Sequence, residues 1–217
     1  MMGSFVRELI QEDANMGSSP RIDLRHLLWL VPCVVGACVW CAQRPITHGP
    51  GQIAPSAPVQ EPADDPMSFG HGEFTVKPLA GFQVTARVLS RRNYSLGRDA
   101  KLCPVDLALG WGPMSDEKVL GRLSISQFDR CYMWSFRDLS VRRVEVERNS
   151  ANMHMIPSTS DIKRRLRTLR KGSLIQCRGY LVEVTAPGGW QWRSSLSRND
   201  TGQGACEVVW VKELKVL

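Results

Sequence analysis

The chain has 217 residues, with 28 Lys and Arg against 21 Asp and Glu, and a formal net charge of +7. This length leaves room for one folded domain beside a leader segment, which excludes a large multidomain enzyme. The charge is uneven, because residues 1–66 carry 4 basic and 7 acidic side chains, whereas residues 67–217 carry 24 and 14. A basic domain of this kind suits an acidic neighbour.

Residues 27–42, LLWLVPCVVGACVWCA, contain no charged side chain and predict a membrane anchor. As a helix they span ~24 Å, somewhat less than a hydrocarbon core of ~30 Å. Basic residues at 21 and 25 indicate that residues 1–26 form a cytoplasmic tail. The chain is then predicted to be a single-pass protein of the inner membrane, held by a signal anchor, with its C-terminal domain in the periplasm. A buried core helix, a cleaved signal peptide and a lipoprotein acylated at Cys38 remain as alternatives.

Residues 43–66 contain six prolines with Gly and Ala between them and no apolar period. This composition predicts an extended, Pro-rich linker. Residues 67–217 then form the predicted extracytoplasmic domain.

The domain carries several strand patterns. The clearest is Phe82–Leu89, where apolar and polar side chains alternate, and Ala186–Gly189 is a strong turn signal. Further strands are predicted at Tyr132–Phe136, Val141–Val146, Leu174–Thr185 with a bulge or bend at Gly179, Trp190–Arg193 and Cys206–Val211.

Two helices are predicted beside these strands. Asp161–Arg170 has Ser160 as its cap and a buried stripe of Ile162, Leu166 and Leu169, and a shorter helix begins after Ser115. The fold class is therefore mainly β (α+β): a small antiparallel β-barrel-like domain with one or two short helices, preceded by one N-terminal transmembrane helix. A helix inserted between barrel strands would be OB-like.

Several segments together resemble a family of uncharacterised, membrane-anchored bacterial proteins. These are DLALGWGPMSD at 106–116, LSISQ at 123–127, NSANMHMIP at 149–157, GYLVEV at 179–184 and the pattern from Trp190 to Val211. The resemblance covers the chain from about Phe82 onward. The resemblance implies the membrane location and the single-domain architecture. It carries no implication about chemical activity.

Three residues are candidates for catalysis: His154, Cys206 and Ser195. The polar stretch Asn149–Pro157 is predicted to be a loop that presents His154 to a cleft, and Ser195 with Asp200 could complete a Ser–His–Asp set. The order His, helix, strand and late Cys206 also resembles sortases, which use a cysteine nucleophile. The sequence departs from sortases, because no Thr-Leu-x-Thr run precedes Cys206 and no arginine follows it.

The binding candidates are a basic helix face and a tryptophan hairpin, comprising Lys163, Arg164, Arg167, Arg170, Trp190, Trp192 and Arg193. Arginine and tryptophan are typical of recognition surfaces. Besides the membrane at residues 27–42, the partners they suit are an acidic protein, an anionic lipid or a cell-wall polymer, and the predicted periplasmic location argues against nucleic acid.

The four domain cysteines, Cys103, Cys131, Cys177 and Cys206, allow up to two disulfides in an oxidising compartment. None forms a Cys-x-x-Cys pair, so no metal site and no cofactor are predicted. The sequence thus predicts a tethered domain that binds a partner or ligand in an envelope process. The alternative is a small envelope enzyme, a cysteine transpeptidase or hydrolase that uses His154 with Cys206 or Ser195.

Overall fold

The computed structural model describes residues 32, 34–36, 43–138, 140–197 and 206–217. The chain divides into two units, Met1–Gln43 and Arg44–Leu217. In the first unit the described residues are helical, but most of the predicted anchor at 27–42 lies outside the described residues. Among the residues that are described, no helix combines the length and the apolar character needed to cross a membrane.

The second unit contains ten strands and four short α-helices among its described residues. The strands are β1 (Val59–Glu61), β2 (Phe69–His71), β3 (Phe74–Asn93), β4 (Val105–Gly110), β5 (Leu123–Phe128), β6 (Cys131–Phe136), β7 (Ser150–Pro157), β8 (Leu174–Ala186), β9 (Trp190–Arg193) and β10 (Glu207–Val216). The helices are α1 (Arg98–Leu102), α2 (Glu117–Leu120), α3 (Arg143–Asn149) and α4 (Ser160–Thr168), with a 3₁₀ turn at Gly112–Ser115.

Eight strands form one mixed sheet, and β5 and β6 form a separate hairpin. Within the large sheet, β3 pairs with β4, β4 with β7, β7 with β10, β10 with β8 and β8 again with β3. Only the β7–β10 pairing is parallel. Short strands β1 and β2 add to β3, and β9 adds to β8. The expectation of a mainly β domain with a few short helices is therefore confirmed.

The sheet is apolar on both faces. The helix-side face packs against Ile162 and Leu166 of α4 and carries alternate residues of the long strands, among them Val84, Leu107 and Met155. The opposite, hairpin-side face carries two further clusters. One lies under the β5–β6 hairpin, around Leu89, Ala108 and Met114, and the other lies beside β9, around Tyr180, Val182, Val208 and Trp210. Burial on both faces leaves β4 and β7 covered along their whole length.

The proline-rich segment belongs to the folded unit. It is extended, as predicted, but it lies along the domain: Ile46 donates a backbone hydrogen bond to Lys171 at 2.8 Å, and Gly112 donates one to Ala54 at 2.7 Å. Ala54 is fully buried, and β1 pairs with β3. The segment predicted as a linker therefore covers part of the sheet, because its backbone groups find partners in the domain.

Two predictions of secondary structure are wrong. Val141–Val146 is not a strand, since α3 begins at Arg143, with Val141 and Val146 buried under the hairpin and ion pairs between side chains three and four apart. Asn149–Pro157 is not a loop, since Ser150–Pro157 is the central strand β7. In both cases packing against the rest of the fold outweighs local preference.

The helix caps differ by one residue from those predicted. Asp116, and not Ser115, caps α2, where its side chain accepts a hydrogen bond from the backbone of Lys118. Thr159, and not Ser160, caps α4 by accepting one from Ile162. The backbones of Asp116 and Thr159 are extended, as a helix cap requires.

Gly179 allows two strands to approach closely. A Cβ atom at this position would overlap the backbone carbonyl oxygen of Trp210 on β10. The predicted irregularity is present, but the extra residue lies on β10, where the register shifts between Val211 and Glu213. Glycine at position 179 therefore accommodates a bulge in the partner strand.

Replacement of Gly179 by alanine should destabilise the domain. We expect Gly179→Ala to lower the free energy of unfolding by at least about 2 kcal/mol, because the backbone of β10 must move. Urea denaturation followed by circular dichroism measures the change. Gly70→Ala is the matched control, since Gly70 is also in a strand but a Cβ there meets nothing within 4 Å. Equal losses in the two variants would contradict the close approach.

Candidate functional site

A buried polar cluster lies on the hairpin-side face of β4 and β7. Asp106 of β4 pairs across the sheet with His154 of β7, and Nδ1 of His154 lies 3.0 Å from Oδ1 of Asp106. The thiol of Cys103, which directly follows α1, donates to the same carboxylate oxygen over 3.6 Å. All three side chains are buried. The cross-strand register thus brings together three groups that are far apart in sequence.

Arg130 reaches this cluster from the tip of the β5–β6 hairpin. Phe128 pairs with Cys131, so the turn consists of Asp129 and Arg130 alone. Both have positive φ angles, 47° and 64°, as a type I′ turn requires. Such turns favour Asn-Gly, and a non-glycine residue in this conformation costs of order 1–3 kcal/mol. The surrounding contacts must hold this strained turn in place.

Those contacts are formed by the side chain and backbone of Arg130. Its guanidinium donates to Oδ1 of Asp106 at 2.8 Å and to the backbone oxygen of Cys103 at 3.0 Å. It also lies 3.7 Å from the ring centre of Tyr94, whose hydroxyl accepts from the Arg130 backbone. Burial acts to lower the pKa of Arg130, but the neighbouring Asp106 carboxylate outweighs it and raises the pKa. The arginine is therefore held charged over an aromatic ring.

The tryptophan hairpin covers the other side of His154. The rings of His154 and Trp192 have centres 4.6 Å apart, and the guanidinium of Arg130 lies 5.5 Å from the Trp192 ring. Trp190 shares this face and contacts Trp192 edge to face at 6.1 Å. We call Tyr94, Arg130 and Trp192, with His154 beneath them, the aromatic–arginine site. It combines one cation and two partly exposed rings with a buried imidazole beneath them.

A network of side-chain hydrogen bonds joins the hairpin to β7 and to Cys206, which directly precedes β10. Asn152 donates to the backbone oxygen of Arg130 at 2.9 Å and contacts the sulfur of Cys206 at 3.8 Å. Gln127 of β5 donates to the side-chain oxygen of Asn152 at 2.7 Å. Tyr132 and Ser150 are also paired at 3.1 Å. The polar residues of β7 are thus used to attach the hairpin.

The predicted catalytic residues do not form a catalytic set among the described residues. Cys206 lies against Asn152, and burial, with a further contribution from Glu207, raises the pKa of its thiol to about 11. Ser195 accepts a hydrogen bond from the backbone of Ser197 at 3.0 Å, which is a local turn contact. Within the described parts of the chain, no hydrogen bond or ion pair joins His154 to Cys206 or to Ser195. Asp200 lies outside the described residues.

The predicted binding residues are placed on two elements and several are already paired. On α4, Arg164 and Arg165 both bind Asp161, and Arg167 donates to the backbone oxygen of Tyr94 at 3.0 Å. Lys163 is half-buried on the same helix, and Arg170, also half-buried, lies just beyond its end.

On β9, Arg193 binds Glu183, whereas Trp190 and Trp192 pack toward the cluster. Among the described residues, Trp192 belongs to the aromatic–arginine site, Trp190 contacts it through Trp192, and Arg167 contacts it through Tyr94. Tyr94 is the residue that links the basic helix to the hairpin tip.

Sequence reasoning did not identify Asp106, Arg130 and Tyr94 as site residues. The sequence does contain a clue to Asp106, because a carboxylate in an otherwise apolar strand needs a partner when it is buried. The sequence contains no clue to Arg130, since the hairpin tip lacks the Asn-Gly pair that usually marks such a turn. Tyr94 follows a strand and gives no pattern.

Three side chains of the cluster are also chemically able to bind a metal ion. Atoms of Cys103, Asp106 and His154 all lie within 4.8 Å of one another, although sequence spacing predicted no metal site. Nδ1 of His154 and Oδ2 of Asp106 have no hydrogen-bond partner among the residues described, although both are buried. The nitrogen is close to the carboxylate but is not aligned with it for a hydrogen bond.

A concavity of about 220 Å³, away from the aromatic–arginine site, lies where the proline-rich segment crosses β3, β8 and β10. The hydroxyl of Tyr180 donates to Asp64 there and accepts from the ammonium of Lys212 at 3.1 Å. The shape of this pocket depends on the proline-rich segment, because Asp64 belongs to it.

Comparison of the chain with protein-family models, with curated proteins and with solved structures finds no match.

The four cysteines of the domain, all free thiols in the structure, should differ sharply in reactivity. We expect iodoacetamide at pH 8 to label exposed Cys131 first and Cys206 slowly, because the thiolate reacts and a pKa of about 11 keeps Cys206 protonated. Burial raises the pKa of Cys177 to about 12 and that of Cys103 well above its usual value, so both should react only in urea. Peptide mass mapping gives the order, and rapid labelling of Cys206 alone would restore the cysteine-enzyme alternative.

Removal of the charge of Arg130 should destabilise the fold. We expect Arg130→Gln to cost about 2–4 kcal/mol, since Asp106 would keep a buried charge without its cation. Arg164→Gln is the control, because it breaks an exposed ion pair worth less than about 1 kcal/mol. Urea titration of both variants tests the difference. Losses of similar size would show that the Arg130–Asp106 pair is no stronger than a surface contact.

Proposed function

We propose that the protein is a membrane-tethered binding module built on a small OB-type barrel, with the aromatic–arginine site as its recognition surface. In this proposal residues 27–42 anchor the chain in the inner membrane and the domain faces the periplasm. The observation that carries the proposal is the convergence of Tyr94, Arg130 and Trp192 on the outer face of β4 and β7.

The barrel is supported by the strand pairings. Five strands, in the order β3, β4, β7, β10, β8, pair in a circuit that returns to β3. The parallel β7–β10 pair and the position of α4 between β7 and β8 agree with the OB arrangement. The apolar helix-side face would then be the barrel interior.

The position of the site within that arrangement supports binding. OB barrels bind oligomeric ligands on the face of their second and third strands, flanked by the loops after the first and fourth. Those strands correspond to β4 and β7. Tyr94 lies in the loop after β3, and Trp192 lies in the connection after β8. The hairpin that carries Arg130 is inserted between the second and third strands.

Exposed apolar side chains lie close in sequence to residues of the site. Leu96 is 89% exposed two residues after Tyr94, and Phe128 is 66% exposed two residues before Arg130. Leu196 is 46% exposed on the connection that follows β9. We call these three residues the apolar rim. Apolar side chains around arginine and aromatic anchors are typical of protein interfaces.

Charge indicates the chemistry of the partner. Residues 67–217 carry ten more basic than acidic side chains, 24 against 14, and Arg130 keeps its charge at the site. An acidic segment with apolar or planar side chains complements such a surface, because charge steers the encounter and apolar contacts hold the complex. We therefore favour an acidic protein partner over an anionic lipid or a cell-wall polymer.

The enzyme alternative has less support. A cysteine nucleophile needs a depressed pKa, whereas that of Cys206 is raised to about 11. His154 is buried beneath Trp192 and beside Asp106, where a substrate would have to displace both Trp192 and Arg130.

Defined probes test the proposal with the full-length protein in detergent. The probes are a Glu- and Tyr-rich peptide, phosphatidylglycerol vesicles and purified cell-wall polymer, and tryptophan fluorescence reports binding near Trp192. We expect the peptide to bind, and the double change Leu96→Ser with Phe128→Ser to weaken it at least about tenfold. Both side chains are exposed, so the fold should be unaffected.

Met67→Ser is the matched control, because Met67 is 75% exposed and lies outside the apolar rim. It should bind the peptide as the unchanged protein does. Tighter binding to vesicles or polymer than to the peptide would replace the favoured partner class. Equal binding by the rim variant and the control, or no binding to any probe, would contradict the site itself.

A further inference from the structure

We propose that Cys103, Asp106 and His154 form a binding site for a transition-metal ion, of which Zn²⁺ is the best match. The site lies beneath the aromatic–arginine site. It does not depend on the proposed function, because metal binding can be measured without any partner.

The first argument is the donor set. One thiol, one carboxylate oxygen and one imidazole nitrogen lie within 4.8 Å of one another. Thiolate, imidazole and carboxylate are the three side-chain ligands that Zn²⁺ takes in proteins, and three protein ligands leave a fourth tetrahedral position open. Mg²⁺ and Ca²⁺ prefer oxygen ligands, so the sulfur selects against them.

The second argument concerns buried polar atoms without hydrogen-bond partners, and it does not depend on the distances between the three donors. Nδ1 of His154 and Oδ2 of Asp106 are buried and have no hydrogen-bond partner among the described residues. A buried polar atom without a partner costs about 1–3 kcal/mol, and most such atoms in folded proteins are satisfied. A metal ion bound to these two atoms would remove both penalties with one interaction.

Arg130 is compatible with the ion because it uses a different oxygen. Its guanidinium donates to Oδ1 of Asp106 at 2.8 Å, and Oδ2 has no hydrogen-bond partner among the described residues, so a turn of the carboxylate would present Oδ2 to the metal. Its charge faces Tyr94 and Trp192 on the outer side, and its side chain is 18% exposed, so water screens part of the repulsion. A hydrogen bond of this kind to a ligating carboxylate fixes the orientation of the carboxylate.

Binding requires a small movement and the loss of one proton. Tetrahedral Zn²⁺ with bonds of about 2.0–2.3 Å holds its donors roughly 3.3–3.8 Å apart, so a pair of donors at the 4.8 Å limit must close by about 1 Å. The S–H bond of Cys103 breaks, its proton leaves to solvent, and the sulfur electron pair forms the bond to the metal. No electron transfer is involved. Affinity should therefore rise with pH.

The strand register makes the three donors a rigid set. Asp106 and His154 are direct cross-strand partners in the centre of the sheet, and Cys103 is held where α1 ends, by a hydrogen bond from its backbone to Asp99 at 2.7 Å. A preformed site of this kind loses little entropy on binding an ion. We therefore expect the ion to stabilise the domain against unfolding.

Metal titration of the full-length chain tests the proposal. Cys33, Cys38 and Cys41 are replaced by serine throughout, so that four thiols remain. After dialysis against Zn²⁺ we expect one equivalent by mass spectrometry and a higher midpoint of thermal unfolding. With Co²⁺ we expect tetrahedral d–d bands and a thiolate-to-cobalt charge-transfer band.

Variants identify the ligands. Cys103→Ser should remove the charge-transfer band, and His154→Gln should weaken Zn²⁺ binding at least about tenfold. Cys177→Ala is the matched control, since Cys177 is also a buried thiol but lies on the helix-side face of the sheet. This variant should bind metal normally. The double change Cys131→Ser with Cys206→Ser should also leave the band in place.

Three results would overturn the proposal. The first is the absence of bound metal and of the cobalt band in the four-thiol chain, a measurement that needs no ligand variant to fold. The second is a band that persists in Cys103→Ser. The third is a band that disappears only when Cys131 and Cys206 are replaced, since the metal would then be held by the more accessible thiols.

Discussion

The carboxylate of Asp106 imposes the constraint on which the rest of the structure depends. It is fully buried as the second residue of β4, a strand in which every residue is buried. An ionised carboxylate in such a place costs several kcal/mol unless a cation and hydrogen bonds compensate it. Arg130 supplies the cation, and Cys103 supplies a further hydrogen bond. The β5–β6 hairpin must therefore lie across the sheet, with its tip at β4.

The remaining features of the site follow from bringing Arg130 to that point. The turn adopts a strained left-handed backbone at both of its residues, and the hydrogen bonds of Asn152 and Tyr94 keep it closed. The same guanidinium arranges the rings of Tyr94 and Trp192 around it. Ion pair, hairpin and rings thus support one another, which is the pre-organisation that a recognition surface needs.

Local patterns predicted the elements that have one covered face and standard turns. Phe82–Leu89 alternates and is part of β3, and the turn after Ala186 has glycines with positive φ where they are needed. Patterns failed where both faces are covered. The polar residues of Ser150–Pro157 favoured a loop, although they alternate with apolar ones as in a strand. In the structure they are covered, and they attach the hairpin.

The sequence by itself determined the mainly β class, the basic character of the domain and the positions of its strongest strands and of helix α4. Charge and side-chain alternation are local properties, so they can be read from one segment at a time. Only the tertiary structure decided that Cys103, Asp106, Arg130 and His154 meet. Their contact depends on the cross-strand register of β4 and β7 and on the path of a hairpin over them, and both are set by packing between segments distant in the chain.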